Sequence, residues 1–346
     1  MKNLINKLEK TRALTKEEWI ALFDCDEGER AFLFQKARKT RDKVYGKTVF
    51  VRGLIEISNY CKNDCFYCGI RRSNENAMRY RLTPEEILMC CEEGHALGFR
   101  TFVLQGGEDP FFTDELLCDL ISNIKNTYPD CAVTLSLGER SRESYELLKL
   151  SGADRYLLRH ETANCTHYGR LHPKDMLLES RKKCLYDLKE VGFQVGAGMM
   201  VGSPFQTKET LAEDMLFLQD LRPHMVGIGP FISHQDTPFR DEPNGSVDTT
   251  ILLLALTRLL LPNVLLPATT ALGTLDPMGR EKAVLAGANV VMPNLSPLSV
   301  REKYMLYDGK ISTGDEAAES LEHLKKSMKK IDYKVVVHRG DYKEIK

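Results

Sequence analysis

The chain has 346 residues, 42% hydrophobic and 28% charged, a composition that suits a globular protein with one large core or two smaller ones. A net charge of −1 gives no footprint for nucleic acid or for a polyanionic partner. No 18-residue apolar run occurs. The longest candidate, Ile251–Leu261, is broken by Thr257 and Arg258 and stopped by Pro262, so it reads as a buried helix rather than a membrane span. The first residues lack the apolar stretch of a secretory signal, and ten cysteines without pairing logic point to a reducing, cytoplasmic compartment.

Residues 1–45 form a charged helical lead-in, expected to pack outside the main domain. From there, short β-branched runs alternate with longer amphipathic ones. Val49–Ser58 is strand-like, and Thr83-Pro84-Glu85-Glu86 starts a helix that ends at Gly98. Thr101–Leu104 is the second strand, with a helix from Thr113 to about Tyr128. Ala132–Leu137, Arg155–His160, Gln194–Val201 and Met225–Ile232 follow as strands. Their helices are Arg142–Leu150, Met176–Val191, Thr207–Leu221 and Asp248–Leu261. Val264–Ala271 is a weaker seventh strand, interrupted by Pro267. Arg280–Ala286 is a short helix, and Asn289–Met292 the eighth strand. Eight alternations in one run predict an α/β fold, a (β/α)8 barrel over residues 46–312, with a helical, basic tail over 313–346.

Barrel active sites lie at the C-terminal ends of the strands. Cys61, Cys65 and Cys68 fall there, after strand one, with the spacing C-x3-C-x2-C. Thiolates suit zinc and iron–sulfur clusters. Four protein ligands would close a structural zinc site, whereas three leave a position open for a substrate or cofactor. No second C-x2-C pair completes a zinc site. The same mouth would carry Gly106, Gly107 and Glu108 after strand two, Ser136 after strand three, and Arg159 and Glu161 after strand four. Met199, Thr269, Thr270 and Met292 end strands five, seven and eight. Glycines allow close backbone approach and Glu108 can accept an ammonium group. Arg159 and Glu161 alternate, so they face one side as a pair. Glu161 could accept from ribose hydroxyls, and Arg181 could pair with a carboxylate if the start of its helix turns inward. Tyr304 and Tyr307 share a face if Val300–Tyr307 is helical.

The cysteine motif, with Tyr67 before its last cysteine, and the Gly-Gly-Glu element resemble the radical SAM superfamily. More narrowly, VLQGGEDP (103–110), TLSLGER (134–140), GADRYLLRHETAN (152–164), MVGIGPFI (225–232), PATTALGT (267–274) and ANVVMPN (288–294) resemble the HydE family of FeFe-hydrogenase maturases over about residues 45–312. The resemblance implies one 4Fe-4S cluster on Cys61, Cys65 and Cys68, which binds S-adenosylmethionine at its open iron and cleaves it reductively to a 5′-deoxyadenosyl radical. Tyr67, Gly107, Glu161 and Arg181 match positions that hold the S-adenosylmethionine. Arg52, Gln105, Thr134, Arg155, Thr269, Thr270, Tyr304 and Tyr307 match positions that line the substrate cavity or its anion sites. The implied substrate is a cysteine-bound iron carbonyl–cyanide complex. The implied partners are other hydrogenase maturation proteins and a low-potential electron donor, with neither nucleic acid nor membrane. Some family members carry a second cysteine set, matched here by Ser312, Ser320 and His323. Serine is a poor ligand for a soft metal, so no second cluster is expected. The rival readings are a methylornithine synthase-like or biotin synthase-like radical SAM enzyme, and a non-catalytic iron–sulfur scaffold.

Overall fold

The structure, a computed structural model, describes residues 1–311, 314 and 316–344. Three helices lead: α1 (Lys2–Thr11), α2 (Lys16–Leu22) and α3 (Glu27–Tyr45). Capping boxes at Thr15 and Asp26 start the second and third, satisfying their first free amides. α3 packs on α10 (Val247–Leu260) and α2 on α9 (Lys208–Leu221), so the lead-in lies outside the barrel.

The first predicted strand is two: β1 (Thr48–Val51) and β2 (Gly53–Ser58), separated at Arg52. β2 begins a parallel six-stranded sheet continued by β3 (Thr101–Gly106), β4 (Ala132–Ser136), β5 (Arg155–Leu157), β6 (Gln194–Val201) and β7 (Met225–Pro230). The intervening helices are α4 (Pro84–Ala96), α5 (Asp114–Thr127), α6 (Arg142–Leu150), α7 (Cys165–Leu171) and α8 (Leu178–Glu190). The ring continues through single parallel bridges. Leu265 bridges Met225, Pro267 bridges Val290 of β8 (Val290–Val291), and Asn294 bridges Leu54. With β1 paired to β8, the cylinder comes back to where it began. The fold is an α/β barrel of parallel strands.

Several expected elements differ. Strand seven reduces to the bridges at Leu265 and Pro267, because proline cannot donate to a ladder. Thr270 already opens a helix, α11 (Thr270–Leu275), followed by α12 (Gly279–Leu285). The fourth strand stops at Leu157, because the chain bends toward Glu161, whose φ is +63°. The helix predicted over 300–307 is only α13 (Leu298–Arg301), so Tyr304 and Tyr307 stand on an irregular strap and not on one helical face. The tail contains α14 (Ala317–Lys330), as expected, and then β9 (Lys334–Val336), which pairs in parallel with β1. Among the described residues, no helix is long and apolar enough to cross a membrane.

Candidate active site

The three cysteines occupy the loop after β2, half-buried at the C-terminal end of the sheet. The loop is held from several sides. The Lys62 amide donates to the Glu108 carbonyl at 2.9 Å, the Phe66 amide to Leu171 at 3.0 Å and the Gly69 amide to Leu306 at 2.9 Å. Asp64 receives a two-toothed contact from Arg71 at 2.7 and 2.6 Å, and this partner holds the Asp64 carboxyl well below its usual range. Gly107 is a spacing requirement: a Cβ there would lie 2.1 Å from the Tyr60 carbonyl and 2.8 Å from the Cys61 Cβ. The Glu108 amide points at the Cys61 sulfur at 3.4 Å.

Burial pushes all three thiols up, Cys68 to about 12, and charge on one further disfavours charge on its neighbours. A bound cation is what would hold them together as thiolates. Among the described residues, the one set of metal-ligating atoms lying within 4.8 Å of one another is elsewhere, at His95, Asp130 and Cys131. The three loop sulfurs are therefore not all within 4.8 Å of one another, whereas a single tetrahedral zinc site has edges of roughly 3.8 Å. Wide spacing fits a polynuclear cluster.

Around this loop lies a ring of charge. Arg181, in the first turn of α8, is buried and turned inward, 2.8 Å from Glu139 and 3.6 Å from Glu108. Lys62 approaches Glu108 at 3.3 Å. Arg159 Nη2 lies 3.0 Å from Glu161 Oε2, a contact of charge without hydrogen-bond alignment, so both atoms keep unused capacity although buried. Thr269 Oγ1 is likewise buried without a partner. Buried polar atoms are nearly always satisfied, so these suit a polar ligand. Met199 is fully buried on β6, and the Glu161 backbone bridges it. The Tyr67 hydroxyl lies 3.1 Å from His172 Nε2, with their rings edge to face at 5.4 Å. Burial drives His172 down to about 3, so it is the neutral partner.

The remaining sequence candidates fall into two groups. Gln105 and Tyr304 meet near the mouth at 3.4 Å, while Gly106 and Ser136 end β3 and β4. Thr270 contacts Arg280 at 3.5 Å, and Met292 follows β8. Arg52, Thr134 and Arg155 instead lie toward the N-terminal ends of the strands. There Arg155 donates to Thr101 at 3.1 Å, Thr134 at 3.5 Å and Asp341 at 2.5 Å. Arg52 is buried beside it, with the Met225 sulfur at 3.0 Å. Ser320 lies on α14, half-buried and at the edge of a small cavity with Arg280 and Lys310, and His323 is on the same helix. Ser312 lies outside the described residues.

Sequence reasoning assigned no role to Glu56, Lys310 or His172. Glu56 is fully buried in β2, with Lys310 Nζ at 2.6 Å and Asn294 Nδ2 at 2.9 Å. Burial raises the Glu56 carboxyl despite that partner. A signal was present: Arg52, Leu54 and Glu56 alternate onto one face of an otherwise apolar run.

A model of the radical SAM superfamily matches residues 55–218. The chain is 48% identical over 313 residues to the FeFe-hydrogenase maturase subunit HydE of Thermotoga maritima, covering 90% of this chain and 88% of that one. It is 28% identical to 3-methylornithine synthase of Methanosarcina acetivorans, over 89% and 87% of the two. The crystal structure of methylornithine synthase superposes with a TM-score of 0.85 at 26% identity, covering 96% and 97% of the two chains. The FeFe-hydrogenase maturase HydG, at a TM-score of 0.81 and 21% identity, covers 97% of this chain and 75% of its own and shares the fold. The three-cysteine loop at the barrel mouth thus belongs to a radical SAM enzyme. Within that superfamily the chain belongs to the HydE family of hydrogenase maturases.

Proposed function

We propose that Cys61, Cys65 and Cys68 hold one 4Fe-4S cluster, and that the chain acts on a cysteine-bound iron carbonyl–cyanide precursor during assembly of the FeFe-hydrogenase active site. When bound, the cluster would supply an electron to the sulfonium of S-adenosylmethionine and so release a 5′-deoxyadenosyl radical. The protein's part is binding, orientation and shielding. Glu108, beside Gly106 and Gly107, accepts the ammonium of the methionine moiety. Arg181 faces its carboxylate, kept in place by Glu139 and Glu108 at 2.8 and 3.6 Å. The left-handed backbone at Glu161 aims its carboxylate, at the price of about 1 kcal/mol of strain, toward the ribose hydroxyls. Ser136, Arg159, Met199, Met292 and Tyr67 complete the cofactor wall. Gln105, Thr269, Thr270, Tyr304 and Tyr307 face the substrate at the mouth, with Arg52, Thr134 and Arg155 deeper in the cylinder. A buried site keeps a radical from water. Other maturation proteins and a low-potential electron donor would serve the open end.

The 48% identity over nine-tenths of the chain supports this substrate most. The test is anaerobic reconstitution with iron, sulfide, dithionite and S-adenosylmethionine, then measurement of 5′-deoxyadenosine. A cysteine-ligated iron carbonyl–cyanide complex should accelerate its formation, and lysine should not. Acceleration by lysine alone would move the chain to the methylornithine synthase chemistry of its structural relative.

A further inference from the structure

One cluster of chemistry-bearing side chains lies away from the cysteine loop, at the opposite end of the barrel. His95 is on the last turn of α4, and Asp130 and Cys131 immediately precede β4. His95 Nε2 is 3.3 Å from Asp130 Oδ1, and Cys131 Sγ is 3.7 Å from the same oxygen. All three donor atoms lie within 4.8 Å of one another. A tetrahedral ion with bonds of about 2.0–2.3 Å to nitrogen, oxygen and sulfur sets its donors roughly 3.3–3.8 Å apart. Two edges of that tetrahedral face are already in place.

The surroundings support each donor. Arg100 Nε contacts the other carboxylate oxygen, Asp130 Oδ2, at 2.6 Å, which fixes the carboxylate and leaves Oδ1 facing the imidazole and the thiol. Tyr128 lies against the His95 ring with centroids 4.7 Å apart, limiting its rotation. Cys131 is fully buried, and its sulfur also has a long 3.8 Å contact to the Phe99 carbonyl. The imidazole and the buried thiol thus both turn to the same carboxylate oxygen, the thiol as a long hydrogen-bond donor. Asp130 is half exposed, so an ion can enter from solvent and keep a water.

We propose that His95, Asp130 and Cys131 bind one divalent ion of the zinc class, with water in the fourth position. One sulfur, one imidazole nitrogen and one carboxylate oxygen are a borderline donor set that suits zinc over magnesium or calcium. On binding, the Cys131 thiol gives its proton to solvent as the sulfur–metal bond forms. The ion would tie the end of α4 to the start of β4 on the face remote from the cysteine loop.

The test uses the anaerobically reconstituted protein, whose loop cysteines are occupied. It is incubated with zinc and freed of excess by gel filtration, and zinc and iron are counted. About one zinc per chain is expected, with zinc-edge X-ray absorption showing one sulfur near about 2.3 Å and nitrogen or oxygen near about 2.0 Å. His95→Ala, at a half-buried side chain, and Asp130→Asn, at an exposed one, should each weaken zinc retention by about tenfold or more and leave iron content and S-adenosylmethionine cleavage unchanged. No retained zinc, retention in both variants equal to that of the unmodified protein, or an all-sulfur environment that places the ion in the cysteine loop would overturn the site.

Discussion

At Gly107 a hydrogen is the only side chain that fits between β3 and the cysteine loop, since a Cβ would sit 2.1 Å from the Tyr60 carbonyl. Backbone on one side and a ligand-bearing residue on the other leave nothing flexible to yield. Gly107→Ala should therefore push the loop outward. Iron bound per chain should fall severalfold while far-ultraviolet circular dichroism stays unchanged; normal iron content would show that the loop can move freely. Glu56 and Lys310 form the other decisive contact, a buried pair at 2.6 Å. Removing one partner strands the other's charge, which typically costs about 3–5 kcal/mol. Lys310→Met alone should lower denaturant stability by about that amount, and Lys310→Met with Glu56→Gln by clearly less, since the second change removes the stranded carboxylate. Equal losses would mean the pair is not coupled. Both effects were partly legible in the chain. The Gly-Gly-Glu run and the face shared by Arg52, Leu54 and Glu56 could be read, but Lys310, 254 positions away, could not.

At the element scale, the strap over residues 303–311 explains how two tyrosines reach the mouth without a helix. It is tied to the loops it crosses. Asn59 Nδ2 donates to the Lys303 carbonyl at 2.7 Å, and the Asp308 amide donates to the Ser233 carbonyl at 3.0 Å. The spacing of Tyr304 and Tyr307 reads as helical, but the local i−3 bonds stop at Lys303 and Tyr304, and Asp308 bonds across to Ser233 instead. Strand seven was weak in the sequence for a reason the fold confirms: Pro267 limits it to isolated bridges. α7 went unread because its seven residues are too short for a clear period, yet it delivers His172 to Tyr67. That histidine sets a pH dependence. Burial lowers it from 6.5 to about 3, so the unfolded chain takes up a proton that the folded one refuses. Its contribution is complete above pH 6.5 and is lost as the pH falls from there toward 3, at up to about 1.4 kcal/mol per unit. Thermal denaturation between pH 6.5 and 5 should show this slope, reduced in His172→Asn. An unchanged slope in the variant would assign the acid sensitivity to other groups.

For the whole molecule, the barrel has two differently closed ends. The cysteine loop and strap cover one, and the last described residues cover the other. β9 extends the sheet beside β1, and the segment after it places Asp341 against Arg155 and Arg339 against Asp154 at 2.8 Å. Alternation of strands and helices made the cylinder legible from composition and period alone. The tail was not, because its lysines mark the solvated face of α14 and say nothing of the strand beyond it. Asp341 is a third exposed while Arg155 is fully buried. Asp341→Ala should therefore cost about 2 kcal/mol, below the usual value for a fully buried pair, and leave the cluster's absorption intact. Loss of the cluster in that variant would contradict the separation of the two ends.

The account rests on three thiolates leaving one iron free for a sulfonium ligand. Electron paramagnetic resonance of the dithionite-reduced protein, with and without S-adenosylmethionine, reads this directly. The cofactor should shift the cluster's signal and yield 5′-deoxyadenosine. Cys61→Ala, Cys65→Ala and Cys68→Ala should each lose signal and product together, while Cys90→Ala keeps both. A reduced cluster whose spectrum ignores S-adenosylmethionine, or one that disappears in Cys90→Ala, would contradict it.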